Sequence, residues 1–284
     1  MSKQKRLLAV HDVSCFGRCS LTVALPIISA TGIETVVLPT AILSTHTGGF
    51  TGYTYRDLTD DIVPIIKHWE ELNIKFDAVY SGFLGSFEQI DIVSQIFKKF
   101  KAEGSIIAVD PVMADNGELY KIFDENFPKG MVSLCQLADV IMPNITEASL
   151  MLSGQYKEGP YTKEYIRELL IKLSQLGPKK VVLTGVYFDE RDLGAASFDA
   201  LTQEFSFARA NRISGYYHGT GDVFGSALVA ALVKNKKLSK AVEIAVDFTV
   251  GSIKRTYESQ TDIRFGVNFE EGLGDLLNAC NSNN

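Results

Sequence analysis

Short apolar runs alternate with longer segments of helical periodicity along most of this chain, and that alternation constrains the fold more than any other feature. The short runs are Leu7–His11, Thr35–Pro39, Ala78–Ser81, Ile106–Val109, Asp139–Met142 and Lys180–Leu183. Between them, Ser20–Thr31, Asp57–Leu72, Ser86–Phe100, Thr146–Leu152 and Lys163–Leu176 read as helices. In Ser86–Phe100, for example, Ile90, Val93, Ile96, Phe97 and Phe100 share one face. Pro26 predicts a kink or a late start in the first helix. Strands that alternate with helices predict an α/β chain: a mostly parallel sheet covered by helices on both faces. Residues 193–209 break the rhythm. Gly194–Phe198 and Glu204–Ala208, separated by Asp199–Gln203, predict an antiparallel hairpin on the sheet edge. Helical character returns after Gly221 and over Ser239–Thr256. With no repeat, low-complexity tract or linker, the expectation is one domain over residues 1–284.

Composition removes several function classes. An apolar fraction of 46% argues against intrinsic disorder. Twenty-eight Lys and Arg against 34 Asp and Glu leave a net charge of −6, with no basic excess to displace counterions from nucleic-acid phosphates. The longest helical apolar run, Val223–Val233, is too short for a membrane span. Leu7–Val10 is too short for the apolar core of a signal peptide, so Met1–Arg6 reads as a solvated tail before a first strand. Cys15, Cys19, Cys135 and Cys280 have no zinc-type spacing and read as free thiols of a cytoplasmic protein.

Glycine is abundant, at 23, and proline scarce, at 8. The informative glycines (Gly48, Gly49, Gly82, Gly85, Gly185, Gly219, Gly221) fall with polar residues where predicted strands end. The ligand crevice of an open α/β sheet lies there. Asp12, Ser44–Gly49, Ser81-Gly82, Asp110, Asn144 and Thr184-Gly185 are therefore candidates, each also readable as a turn or a cap. Gly219-Thr220-Gly221-Asp222 leads into the apolar run from Val223. Two readings are open. One is a capped helix start with flexible glycines. The other is an anion well, in which glycines expose the first N–H groups of a helix and Asp222 accepts a proton from an attacking hydroxyl. The chain has no GxxxxGK[ST], no kinase-type HRD…DFG set and no GxGxxG after its first strand.

The 219–222 motif followed by a small-residue helix resembles the signature of the ribokinase-like superfamily. Four more segments resemble pyridoxal kinases within it: Ser44–Gly48, Ser81–Ser86, Val109–Met113 and Pro143–Glu147. The resemblance runs from about residue 6 to about residue 257. It implies a three-layer αβα sandwich and ATP-dependent phosphorylation of the 5′-hydroxymethyl group of a B6 vitamer. Asp222 matches the base, and Gly219, Thr220 and Gly221 the anion hole. Asp110, Asn144, Glu147, Thr184 and Gly185, with Thr220, match the nucleotide side. Asp110, Asp115 and Glu147 match groups near Mg²⁺, and the family also uses a monovalent cation, K⁺ or Na⁺. On the substrate side the matching positions are Asp12, Ser14, Ile42, Thr47, Phe83 and Tyr120. A homodimer is implied, with residues 190–212 forming part of a cover over the site.

The charge balance fits these roles, because acidic groups near phosphates require cations between them. Three positions depart from the pyridoxal kinase pattern, all on the substrate side. Asp12 stands where Ser is usual and would favour a protonated ring nitrogen. Phe83 stands where Tyr is frequent, and Phe16–Ser20 lacks a second glycine. Hydroxymethylpyrimidine kinases are the alternative, although they commonly carry Cys at the position of Asp222. A non-catalytic vitamin-binding relative is a third reading. His46 and His218 read as loop residues, and Asn278–Asn284 as a frayed polar tail.

Overall fold

The structure, a computed structural model, describes residues 4–282. The chain runs β1 (Arg6–Phe16), α1 (Leu21–Ala30), β2 (Glu34–Thr45), β3 (Tyr55–Asp57), α2 (Thr59–Glu71), β4 (Ala78–Ser81) and α3 (Phe87–Phe100). It continues through β5 (Ile106–Val109), β6 (Ala114–Asp115), β7 (Glu118–Leu119), α4 (Phe127–Cys135), β8 (Val140–Ile141), α5 (Ile145–Met151) and α6 (Lys163–Ser174). It ends with β9 (Lys180–Val186), β10 (Asp192–Asp199), β11 (Glu204–Asn211), α7 (Thr220–Val233), α8 (Leu238–Glu258) and α9 (Leu273–Asn281).

Nine strands pair in the order β11-β10-β9-β8-β5-β4-β1-β2-β3. The six from β9 to β2 are mutually parallel, as the alternation predicts. β10 and β11 form the predicted antiparallel edge hairpin, and β3 adds an antiparallel strand at the other edge. Strand residues point alternately to two cores. Leu8, Val10, Val79, Ile107, Val109, Val181 and Leu183 meet α2–α6 on one face. Leu7, Ala9, Ala78, Tyr80, Ala108 and Val182 meet α1, α7, α8 and α9 on the other. Both faces are covered, which is why these strands read as continuous apolar runs. The result is the expected three-layer sandwich.

Several boundaries differ from the sequence reading. β1 does not stop at His11 but continues to Phe16, and β2 runs on to Thr45. A bulge sets Thr40 and Ala41 of β2 against the single Asp12 of β1. The extension escapes an apolar-pattern reading because its inward residues, His11, Asp12 and Ser14, are polar yet buried. Asp57 belongs to β3, so the following helix starts at Thr59. Thr184 and Gly185 lie inside β9. Gly185, at φ +73°, is the extra residue of a bulge opposite Gly194-Ala195. Pro26 sits within α1, so the late start does not occur. The supposed tail is helical in α9 up to Asn281, where Leu276 and Cys280 are buried; Asn283 and Asn284, like Met1–Lys3, lie outside the described residues. Among the described residues no helix is long and apolar enough to cross a membrane.

Candidate active site

Strand order reverses at β1: the chain steps first to β2 on one side, then to β4 on the other. The crevice at such a switch point is where open α/β sheets place ligands. The C-terminal half of β1 brings Asp12 and Ser14 to it, and the end of β4 brings Ser81 and Gly82. A side chain on Gly82 would run into the buried His11 ring, so the β4 turn can only pass this close as glycine.

Opposite stands the start of α7. This helix is apolar on every side, and Val223–Val233 are all buried. Full burial of one such aliphatic side chain is worth about 1.5–3 kcal/mol, so the helix axis is firmly held. Its N-cap is Gly219, left-handed at φ +74° and without a capping side chain. Among the described residues no side chain caps the first N–H groups, which an α-helix leaves without an intrahelical partner. A side chain at 219 would collide with the Arg18 carbonyl, whereas a side chain at Gly221 would enter open space. That opening lies in front of the positive end of the helix dipole and suits an anion. The Thr220 hydroxyl donates to Tyr217 O at 3.2 Å, fixing the loop that enters the helix.

Asp222 occupies the first turn, half-buried. Burial pushes its carboxyl up to about 7; the Ser20 N–H opposes this by bonding the anion, and the Asp12 carboxylate adds to it. Asp12 is buried too, and burial raises it while hydrogen bonds from Ser20 and Ser14 lower it. The Ser14 hydroxyl donates to Asp12 Oδ2 at 3.1 Å. A carboxyl near 7 beside an anion well is suited to taking a proton from a hydroxyl at neutral pH.

A second acidic group surrounds the N-terminus of α5. Asn144 and Glu147 form a capping box: Asn144 Oδ1 accepts from Glu147 N at 2.9 Å, and Glu147 Oε2 accepts from Asn144 N at 2.9 Å. Glu147 Oε1 accepts from Met113 N at 3.1 Å, and Asn144 Nδ2 donates to Ala114 O at 2.8 Å. Burial raises Glu147 to about 8 against these N–H bonds. Asp110 lacks such support: no side-chain hydrogen bond reaches its carboxylate among the described residues. Burial, then Glu147, then Asp222 raise it well above the carboxylate range. Both carboxyls are thus pushed towards the protonated form, and Asp110 is the one without hydrogen-bond donors to oppose it among the described residues. Asp115 Oδ1 accepts from Asn116 N at 2.9 Å and Oδ2 from the Tyr216 hydroxyl at 2.6 Å. Tyr120 lies nearby; burial, then Glu147, raises its hydroxyl.

Asp110, Asp115 and Glu147 do not converge as one ligand set. Among the described residues no group of three or more His, Cys, Asp or Glu is placed to hold a metal ion. The chemistry still fits Mg²⁺, which keeps several waters and takes one or two carboxylates plus phosphate oxygens. Asp110 is the carboxylate left free for it. Thr184, inside β9, joins the α5 N-cap Asn144 through an isolated parallel bridge, and Gly185 is exposed beside it. Phe83 is half-buried, its ring 5.8 Å from Phe123. Ile42 and Thr47 are exposed on β2 and the loop after it, and no hydrogen bond among the described residues joins them to the carboxylates. His46 is structural: Nε2 lies 2.6 Å from Arg264 O, and Nδ1 accepts from Gly48 N.

Sequence reasoning missed three contributors. Gln89, fully buried, accepts from Gly85 N at 2.8 Å and donates to Thr40 O at 3.0 Å, tying the β4 turn to β2. Tyr55 on β3 donates to Asp57 Oδ2 at 3.2 Å and faces the same turn; burial, with Asp57 and Asp12, raises it to about 12. The β6–β7 hairpin turns on Asn116-Gly117, both at positive φ. Asn-Gly is a strong hairpin signal and was there to be read. The 190–212 hairpin, expected as part of a cover, is integral to the sheet and packs on α8 and α6.

The model of the phosphomethylpyrimidine kinase family matches residues 25–265. A Bacteroides thetaiotaomicron protein, provisionally named a phosphomethylpyrimidine kinase and crystallised with pyridoxal, is 39% identical with a TM-score of 0.92, over 96% of each chain. Pyridoxal kinase from Lactobacillus plantarum is 30% identical with a TM-score of 0.88, over 98% of each chain. The chloroplastic thiamine biosynthetic bifunctional enzyme of Arabidopsis thaliana is 28% identical over 87% of this chain, which spans 46% of that relative, about half its length. The chain belongs to the phosphomethylpyrimidine kinase family, small-molecule kinases of ribokinase-like fold that take in the pyridoxal kinases.

Proposed function

We propose that this chain transfers the terminal phosphoryl group of ATP to a hydroxymethyl group on a heteroaromatic ring, with a B6 vitamer as acceptor. The observation that carries this reading is Asp222, raised to about 7 by burial, on the first turn of a helix whose uncapped N-terminus faces open space. In this reading the phosphates approach the N–H groups after Gly219. The acceptor's ring lies in the switch-point crevice by Asp12 and Ser14. Asp222 takes the proton of the attacking hydroxyl, and the backbone donors of α7 stabilise charge on the transferring group. Bound Mg²⁺, held through Asp110 and phosphate oxygens, would neutralise charge on the nucleotide. Asn144 and Glu147 act here by fixing α5 and the strand turn at Met113. A monovalent cation, a homodimer and a cytoplasmic location belong to the same reading.

The pyridoxal-bound relative at 39% identity supports a B6 vitamer. The name of the family, phosphomethylpyrimidine kinase, supports a pyrimidine such as hydroxymethylpyrimidine as the second candidate. Mg²⁺-dependent ADP release should be measured with pyridoxal, pyridoxine, pyridoxamine and hydroxymethylpyrimidine, in K⁺ and in Na⁺. We expect the highest kcat/KM with a B6 vitamer. A higher value with the pyrimidine would replace that acceptor and keep the reaction.

A further inference from the structure

The β6–β7 hairpin follows directly on Asp110 and forms a small flap of its own, outside the main sheet. Its base and turn are tied to the start of α5: Met113 N donates to Glu147, Ala114 O accepts from Asn144, and Gly117 N donates to the Thr146 hydroxyl at 3.0 Å. On its other side, among the described residues, one long-range hydrogen bond holds it. Asp115 Oδ2 accepts from the hydroxyl of Tyr216, more than one hundred residues later in the chain. Tyr216 sits in the loop that enters the anion well, three residues before Gly219. Its ring packs edge-on against His218, with centroids 5.1 Å apart, and His218 lies 5.3 Å from His46. His46 is in turn anchored on Arg264 O. A continuous row of contacts therefore runs from the flap across to the C-terminal segment, past the loop that precedes the phosphate donors.

The geometry points to Tyr216 and Asp115 as a clasp that positions the flap against the anion loop and keeps water from competing with the acceptor for the phosphoryl group. The inference rests on the kinase reading above. A hydroxyl donating to a carboxylate at this length is a charge-assisted bond, stronger than a neutral one. Yet Tyr216 is 54% exposed, so the bond can open to admit ligands without unfolding anything. This use of Asp115 also explains why its oxygens are already filled. Removing the hydroxyl of Tyr216 frees the flap on one side only and leaves the α5 anchors and the ring contact with His218 in place. Water then reaches the well more often, and the bond from phosphorus to the bridging oxygen of ADP breaks with water as acceptor. The products are ADP, inorganic phosphate and a proton, in place of ADP and the phosphate ester.

The test uses the full chain and its Tyr216→Phe, Asp115→Ala and double variants. Two readouts are taken: amide hydrogen exchange over residues 113–120, and ADP formed per phosphorylated acceptor. In Tyr216→Phe we expect exchange to rise about tenfold and the ADP-to-product ratio to rise several-fold. The double variant should match Asp115→Ala, which already removes this bond together with the contacts of Asp115 to Asn116. Unchanged exchange would overturn the clasp. Equal losses of transfer and hydrolysis at a constant ratio would reduce Tyr216 to structural support. A wild-type chain that turns over no ATP would defeat the kinase reading and the water-excluding role with it, while the exchange difference would still report the tie itself.

Discussion

The two walls of the crevice are built by different means. The wall proposed for the phosphates is backbone: the uncapped start of α7, presented by Gly219 and Gly221 and held by an all-apolar helix. Its parts are consecutive in the sequence. The wall proposed for the acceptor is side chains gathered from far apart: Asp12 and Ser14 from an irregular β1, Tyr55 from β3, and Phe83 from the β4 turn that Gln89 ties to β2. A backbone site tolerates drift in everything but its glycines and its helix. A side-chain site changes with each residue, so it is where acceptor preference can diverge among relatives of one fold.

The largest effect should come from the one group that both walls share. Asp222→Asn should lower kcat by about 10²–10⁴ while nucleotide Kd stays within about twofold. An unchanged kcat would remove Asp222 as the base. In the wild-type chain the base form grows as pH rises through the raised value, so kcat/KM should climb on an acid limb centred near 7. The variant should lack that limb.

On the phosphate wall, Gly219→Ala places a Cβ against the Arg18 carbonyl at a φ of +74°. The backbone strain alone costs about 1–3 kcal/mol. Thermal unfolding should register that loss, and nucleotide Kd should weaken more than acceptor KM. The reverse order would mean that the loop serves the acceptor.

On the acceptor wall, His11 is fully buried, with neither ring nitrogen hydrogen-bonded among the described residues, and burial lowers it from 6.5 to about 3. The unfolded chain binds this proton first, so the stability tied to neutral His11 is complete above about 6.5 and is lost as pH falls towards 3. Between pH 6.5 and 5 that is about 2 kcal/mol. His11→Leu should flatten the acid limb of Tm against pH over that range, and parallel limbs would contradict it.

The smallest effects should be selective. Asp12→Ser should change relative KM among acceptors by about tenfold through the ring-nitrogen contact, with nucleotide KM unaffected. Equal changes for all acceptors would leave Asp12 a structural role. Asp110 should release a proton when Mg²⁺ binds, so metal affinity should rise with pH, and Asp110→Asn should remove that slope.

The same contrast decides what the sequence reveals. Ala78–Ser81, Ile106–Val109 and the start of α3 at Ser86 are read correctly because periodicity and capping are local. Gly219–Asp222 is legible for the same reason. The second half of β1 is not, because its buried residues face a polar crevice and break the apolar pattern. Nor is the engagement of Glu147 with Met113 or of Asp115 with Tyr216. Those bonds depend on which distant segments the sheet order brings together, and a motif does not carry that information. The β6–β7 flap is missed for another reason: its Asn116-Gly117 turn is a local signal, but the two-residue strands beside it carry no apolar run.

The most direct measurement compares two acceptors that differ at one atom: a B6 vitamer with its ring hydroxymethyl group, and the same ring with methyl in its place. With ATP and Mg²⁺, we expect the first to give a phosphate ester at that position by ³¹P NMR and mass spectrometry, and the second to give none. No ester from the first compound or from hydroxymethylpyrimidine, or phosphorylation of the methyl compound at another position, would contradict phosphoryl transfer to a ring hydroxymethyl group at Asp222.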